Sequence, residues 1–370
     1  MPARKPSPTR RPYAKPPAGS KRAVLPAEKI FALAMPPHRD ALAVGVSGGG
    51  DSLALMHLLA DWAKAHRLMK PPVVLTVDHG LRKTSTKDAR QVAAWAKAAG
   101  LPVHVLTWRG AKPKSGIEAA AREARYQLMG DWLRRHGISS LYVGHTLDDQ
   151  AETFLLRLAR GSGLDGLCAM RSLAPWPAAG FADLSVARPL LGVSRAELRA
   201  YLKARGQAWL DDPMNDDAGF DRVKIRQAQS ALTALGLTPA RIAAAASHLS
   251  RARTALDGMT EALLADAVQR DEGEGVLLDP ATLAAAPQEV GLRALAAVLM
   301  DVSGNGYRPR FEALERLYQR LAREELGGGC TLHGCRIGPA PGRKAKFAVV
   351  VKAESPRKTG GSRKNPKAAV

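Results

Sequence analysis

The stretch Ser47-Gly48-Gly49-Gly50-Asp51-Ser52 follows the apolar run Ala41–Val46 and opens a helical pattern that continues from Asp51 to His66. A buried strand, a glycine-rich turn and a helix start in direct succession make a cradle for phosphate. Glycine lets backbone approach a ligand closely, and the first helical turn offers unpaired N–H groups at the positive end of the helix dipole. No lysine precedes Ser52, so this is not the Walker A loop, and the spacing is not the dinucleotide G-x-G-x-x-G. Asp51 beside a polyphosphate would repel it unless a cation lay between them, which points to Mg2+. The same residues would also serve as a plain glycine-rich turn with Ser and Asp as helix caps. The complete hexapeptide at a strand–helix junction favours the phosphate reading.

Outward from this loop the chain alternates short apolar runs with helical segments. Val73–Val77, Val103–Thr107 and Leu141–Val143 are expected strands. Helices are expected at Thr86–Ala99, Ile117–Arg135 and Asp148–Arg160. Strands alternating with helices of this length imply βαβ units and a parallel sheet, with ligands at the carboxyl ends of the strands. Residues 161–193 are rich in Gly, Pro and Ala and are expected to be loop. A capped helix follows over Ser194–Arg205, with Ser194 and Glu197 in capping-box spacing. Beyond Arg226 the composition turns to Ala and Leu and reads as helical to about Arg323. A short hairpin, Cys330–Ile337 with Phe347–Val351, closes the ordered part. The expected organisation is a basic disordered tail over 1–25, an α/β Rossmann-like nucleotide-binding domain over 30–231 and a smaller helical domain over 232–325. A small β piece over 326–352 and a second basic disordered tail over 353–370 complete it.

The 370 residues are 46% hydrophobic and carry a net charge of +21. That is ample for a buried core, and no apolar stretch reaches the roughly 20 residues that cross a bilayer. The N-terminus has positive charge without an apolar core behind it, unlike a secretory signal. Three cysteines, Cys168, Cys330 and Cys335, give no disulfide framework and suit a reducing cytoplasm. Residues 1–25 carry +7 and residues 343–370 carry +8, so 15 of the 21 net charges sit in these two terminal stretches. These are either arms that attract phosphate backbones or solubilising ends.

Three further segments stand at the expected strand ends. Asp78-His79-Gly80-Leu81-Arg82 follows the second strand. On the long helix, Glu118, Arg122, Arg125 and Tyr126 are spaced to share a face. Gly144-His145-Thr146-Leu147-Asp148-Asp149-Gln150-Ala151-Glu152-Thr153 joins the fourth strand to a helix, and Asp149 and Glu152 project to one side as an i,i+3 pair. Taken singly, an exposed ion pair, acids at a helix N-terminus and hydrogen-bonded structural histidines would account for them. Their joint position beside the phosphate loop argues for a shared site.

The loop Ser47–Ser52 resembles that of the PP-loop ATP pyrophosphatases, which cleave ATP to AMP and pyrophosphate and adenylate a carbonyl oxygen. Together with Leu155–Met170, Arg188-Pro189-Leu190-Leu191, Trp209–Asp217 and Asp221-Arg222-Val223-Lys224-Ile225-Arg226, the three segments resemble the tRNA(Ile)-lysidine synthetases over about residues 40–230. One departure is Val223, where that family usually has Asn. The resemblance implies adenylation of the wobble cytidine of a CAU-anticodon isoleucine tRNA, then attack by free L-lysine to give lysidine. It further implies ATP and Mg2+ as cofactors, a nucleotide site of Ser47, Gly48, Gly49, Gly50, Asp51, Ser52, His79 and His145, and Asp51 and Asp148 as metal ligands. Asp149, Glu152 and Arg226 are implied to bind substrate, with Asp51, Asp149, Arg122 and Arg222 in catalysis. A cytoplasmic enzyme, with a homodimer among the assemblies the sequence permits, completes the expectation. A 2-thiolation enzyme of the same loop family is the nearest alternative, but those that hold an iron–sulfur cluster need clustered cysteines, and no C-x-x-C occurs. A non-catalytic RNA-binding protein is the other.

Overall fold

The computed structural model describes residues 25, 27–32, 34, 41–82, 84–110, 112–113, 115–211, 221–271, 275–340 and 347–354. Most of both basic tails, and residues 212–217 of the resemblance, lie outside the described residues. The chain divides into two compact units, Met1–Ser250 and Arg251–Val370.

In the first unit the elements run α1 (Ala27–Ala32), β1 (Ala43–Gly45), α2 (Gly50–Ala65), β2 (Val73–Asp78), α3 (Ser85–Ala98), β3 (Val103–Thr107), α4 (Ile117–Arg135) and β4 (Ser140–Tyr142). They continue as α5 (Leu147–Ala159), α6 (Leu164–Leu167), β5 (Leu173–Pro175), β6 (Ser185–Ala187), a 3-10 turn at Pro189–Gly192, α7 (Arg195–Ala204), α8 (Asp221–Ala234) and the start of α9 (Pro239–Ala267). The six-stranded sheet has the order β3-β2-β1-β4-β6-β5. All pairings are parallel except β5 with β6 at the edge. The expected parallel sheet is therefore present.

Both sheet faces are covered, which is why its central strands carry apolar side chains on both faces. Val44, Val74, Tyr142 and Ala187 face one cluster with Leu53, Leu55 and Leu59 of α2 and Leu198 and Leu202 of α7. Their alternates Ala43, Leu75, Leu141 and Val186 face the other, against Tyr126, Met129, Trp132 and Leu133 of α4. Each large side chain so buried stabilises the fold by about 1.5–3 kcal/mol. From β1 the chain moves outward through β2 and β3, then returns to place β4 on the other side of β1. Such a reversal opens a crevice beyond the carboxyl ends of the two strands.

The expected loop over 161–193 contains α6, β5, β6 and the 3-10 turn. Three-residue strands among Pro and Gly are too short for any periodicity, and the sheet edge defines them. The segment read as helical to about Arg323 is likewise interrupted, because β7 (Val268–Asp271) and β8 (Gly275–Leu278) form a hairpin. A four-residue apolar run does not separate strand from helix by pattern, and here pairing with a distant strand decides.

In the second unit, α10 (Pro280–Ala285), α11 (Gln288–Ser303) and α12 (Phe311–Ala322) precede β9 (Cys330–Leu332), β10 (Cys335–Pro339) and β11 (Val349–Ala353). The expected pairing of the last strands occurs, with Ile337 opposite Val351, and the sheet widens to β7-β8-β11-β10-β9. Leu278, Leu295, Leu299, Leu317, Ile337 and Val351 form its core. The composition step near 232 and the division into units after Ser250 do not coincide, because α8 packs on α5.

Candidate active site

The loop after β1 is closed by its own hydroxyls. Ser52 Oγ donates to Gly49 O at 2.9 Å and accepts from Ser47 N at 3.2 Å. Gly48 has φ 93°, and a Cβ there would lie 2.6 Å from Leu210 Cδ1. Leu210 N donates to Gly48 O at 2.9 Å, so the Trp209-Leu210 segment is fastened to the loop. On the other side, a Cβ on Gly144 would lie 3.0 Å from the Asp51 carbonyl and Ser52 Cα. The turn from β4 into α5 thus rests directly on the first turn of α2, and glycine permits that approach.

Thr146 and Asp149 form a capping box at the start of α5. Asp149 Oδ2 accepts from Thr146 N at 2.8 Å and from Thr146 Oγ1 at 2.9 Å, which leaves Oδ1 to accept from Arg195 Nη2. Glu152, one turn on and 3% exposed, accepts from Arg195 Nη1 at 2.5 Å through Oε1. Arg226 of α8 donates to Glu152 from Nε at 2.7 Å and from Nη2 at 3.2 Å. Arg195 Nε donates to Asp51 Oδ2 at 3.2 Å, and Arg195 N donates to Asp148 Oδ2 at 2.8 Å. One arginine at the start of α7 therefore gathers three carboxylates with its side chain and a fourth with its backbone.

These groups border a cleft of about 750 Å³ at the switch point between β1 and β4. It is lined by Ser47, Gly49, Gly50, Asp51 and Ser52 of the loop, by His79, His145 and Asp149, and by Tyr126 and Trp209. Arg82, Arg122, Arg125, Arg195, Arg199 and Arg226 add a cationic wall suited to a polyphosphate and an RNA backbone. Of the expected site residues, Gly48 backs the loop from behind, and Glu152 holds Arg195 and Arg226 from beneath. Asp148 and Arg222 do not line the cleft: Asp148 binds the Arg195 backbone, and Arg222 is exposed one turn before Arg226. Glu118 is also exposed and stands apart from Arg122, Arg125 and Tyr126. Val223, at the departure from the family pattern, is buried at 5% exposure.

Burial and charge set the protonation states. Burial pushes His79 down to about 4, helped by Arg125 and opposed by Asp78. Burial likewise pushes His145 down to about 4 against the pull of Asp149. Both rings are neutral over the physiological range, and the buried Nδ1 of each lacks a hydrogen-bond partner, so both have capacity for a ligand. Burial raises Asp51 above the usual carboxylate range, with Arg195 opposing. For Asp149 burial acts in the same sense, but Arg195 and the two Thr146 bonds outweigh it and hold the carboxyl below that range.

Sequence reading missed Arg195. Along the chain it is only the first residue of a capped helix, and that cap is present, with Glu197 Oε2 accepting from Ser194 N at 2.8 Å. Asp51, Asp149 and Glu152 lie 144, 46 and 43 positions away from it. No local spacing could have revealed that convergence.

Among the described residues no group of three or more His, Cys, Asp or Glu is poised to hold a metal. Mg2+ characteristically uses one or two carboxylates together with substrate phosphates. Asp51, facing the cleft beside the loop, fits that sparse donor set, whereas Asp148 is engaged outside the cleft. Two of the cysteines are packed as small buried groups: Cys168 Sγ donates to Leu164 O and Cys335 Sγ to Leu299 O.

The profile of the PP-loop domain family matches residues 25–231. A tRNA(Ile)-lysidine synthase of Ruegeria pomeroyi is 40% identical over 316 residues, covering 85% of this chain and 72% of that protein. One from a Bradyrhizobium species is 40% identical over 350 residues, covering 86% and 95%, and one from Methylobacterium nodulans is 40% identical, covering 86% and 91%. Among solved structures, the U34-tRNA thiolase NcsA from Methanococcus maripaludis, solved with its 4Fe-4S cluster, shares the fold. Its TM-score is 0.50 at 15% identity, over 60% of this chain and 76% of that one. With the phosphate loop, the acid cluster and these relatives in agreement, the chain belongs to the tRNA(Ile)-lysidine synthase family of PP-loop enzymes.

Proposed function

We propose that this chain uses ATP to adenylate the wobble cytidine of a CAU-anticodon isoleucine tRNA and then joins free L-lysine to it, forming lysidine. The observation that carries the reading is one cleft lined by a phosphate loop and the carboxylates Asp51 and Asp149, with Glu152 beneath them tied to the same Arg195. The first feature suits ATP and the second suits a substrate that arrives as an ammonium ion.

The chemistry divides between them. The cytosine C2 oxygen attacks the α-phosphorus, a C2–O–P link forms, and the α–β phosphoanhydride breaks to release pyrophosphate. Free N–H groups of the loop and the start of α2 bind the departing phosphates, and Arg122 with Arg226 neutralises charge that a Walker lysine would otherwise meet. Mg2+, when bound by Asp51 and phosphate oxygens, would supply further charge neutralisation. The neutral ε-amine of lysine then attacks C2, and AMP leaves with the C2–O bonding electrons. That amine has an ordinary pKa of about 10.4 and must first lose a proton. Asp149, held ionised, is suited to bind the ammonium rather than to keep its proton. His79 and His145, both neutral, are assigned to nucleotide and base through their unpartnered nitrogens. A flipped, unstacked loop base is the form in which proteins usually read RNA.

No helix of the described residues is long and apolar enough to cross a membrane, and we assign the work to the cytoplasm, where tRNA, ATP and lysine meet. The direct test is mass analysis of nucleosides after incubation with tRNA(Ile), ATP and lysine. Lysidine should appear only when all three are present. Thiolated cytidine, or no modified base with intact tRNA, would overturn the reading.

A further inference from the structure

Asp149 and Glu152, the carboxylates assigned to lysine, are already engaged. Asp149 Oδ2 takes both Thr146 donors, and Oδ1 faces Arg195. Glu152 Oε1 takes Arg195 and Arg226, and Oε2 takes Arg226. An incoming ammonium needs the same oxygens: Asp149 Oδ1 already accepts from Arg195, and Glu152 already holds two guanidiniums, so a third cation there adds repulsion that burial leaves poorly screened. Both sets of contacts cannot be at full strength together.

We propose that Arg195 is a specificity-determining residue, an internal cation whose guanidinium occupies the Asp149–Glu152 carboxylates until the lysine ammonium displaces it. This rests on the assignment of lysine to that face. The local structure lets the Arg195 side chain move without its backbone. Arg195 N is fastened to Asp148 Oδ2 at 2.8 Å, and the Ser194–Glu197 capping box fixes the first turn of α7. The backbone therefore stays in place while the side chain, 18% exposed and bordering the open cleft, has somewhere to go. The cleft also offers Arg195 an anionic destination once ATP phosphates are present, since Asp51 already draws its Nε toward the phosphate loop at 3.2 Å.

Such a clasp has two consequences. Before substrate arrives, it keeps buried carboxylates from standing uncompensated, a state that is expensive in a poorly solvated site. It also sets a threshold: a cation that binds these carboxylates weakly does not displace a guanidinium bonded to three of them. The measured affinity for lysine is the intrinsic affinity reduced by the fraction of molecules in which the clasp is open.

The opposite arrangement, in which Arg195 stays put and orients the carboxylates for lysine, predicts the opposite sign, so the sign decides. Arg195→Gln and Arg195→Lys are compared with the unaltered chain for the KM of lysine at saturating ATP and tRNA. If the open form is about one tenth populated, the glutamine variant should lower that KM about tenfold. The lysine variant keeps the charge but cannot span three carboxylates, so its KM should fall in between. In the glutamine variant, added guanidinium chloride should compete with lysine and raise its KM. An unchanged or raised lysine KM in either variant overturns the clasp, and the lysine variant decides the matter even if the glutamine variant does not fold. Failure of the unaltered chain to make lysidine instead overturns the underlying function and is seen separately, in the control.

Discussion

The two units bury polar groups for different ends. Of the thirteen buried polar or charged side chains among the described residues, ten lie in the first unit and three in the second, and the larger set contains the convergent groups. Asp149, Glu152 and Thr146 are drawn together at one end of the parallel sheet, where they meet Arg195 and the phosphate loop. In the second unit the buried polar residues complete local structure. Asp279 Oδ1 accepts from Ala281 N at 3.0 Å and Thr282 N at 3.2 Å, capping α10. Arg293 of α11 joins Glu289 at 2.8 Å and Asp257 of α9 at 3.2 Å. A parallel sheet reverses direction at a switch point and must leave its strand ends open. The antiparallel sheet of the second unit has no such reversal, and its buried Asp279 and Arg293 bond to neighbouring elements of the same unit.

That contrast can be broken most directly at Asp51. Asp51→Ala should reduce tRNA-dependent ATP–pyrophosphate exchange by about 10²–10³-fold, with cooperative thermal unfolding retained. Normal exchange would remove Asp51 from the chemistry. Next comes Glu152→Gln, which takes the charge from a side chain bound by two arginines. Lysine KM should rise by about tenfold or more, the equivalent of at least about 1.4 kcal/mol, and ATP KM should move less. Loss of adenylation with unaltered lysine dependence would place Glu152 on the nucleotide side.

Gly144→Ala probes the close approach of α5 to α2. With the new Cβ 3.0 Å from backbone atoms of Asp51 and Ser52, the turn must shift, and overpacking of this kind costs about 1–3 kcal/mol. Both stability and exchange rate should fall, and an unaffected exchange rate would mean that the loop tolerates displacement. In the second unit, Asp279→Ala should lower stability by about 1 kcal/mol through loss of the cap and leave lysidine formation per folded molecule unaltered. A changed lysine or ATP KM there would erase the distinction between the units. Smallest is the effect of deleting residues 1–25 and 355–370. If they act as phosphate-attracting arms, tRNA binding weakens while the modified base stays the same. The log–log salt slope then flattens by up to about 0.9 for each phosphate no longer neutralised. An unchanged slope would reduce the tails to solubility devices.

Much of the first unit could be read from the chain because its signals are local. Strand, glycine loop and helix are contiguous over residues 41–66, and the Ser194–Glu197 box spans only four residues. Alternating β and α segments were enough to require a parallel sheet, and therefore a crevice at its strand ends. Three-residue β5 and β6 and the β7–β8 hairpin escaped because their pattern is shorter than any period, and pairing energy alone makes them strands. The tertiary structure alone decided which charge meets which. Arg195 looks like one more exposed cation on a capped helix, and only folding carries it to Asp51, Asp149 and Glu152. Residue type and local periodicity belong to the sequence, whereas the partner of a buried charge depends on chain crossings that bring distant segments within hydrogen-bond reach.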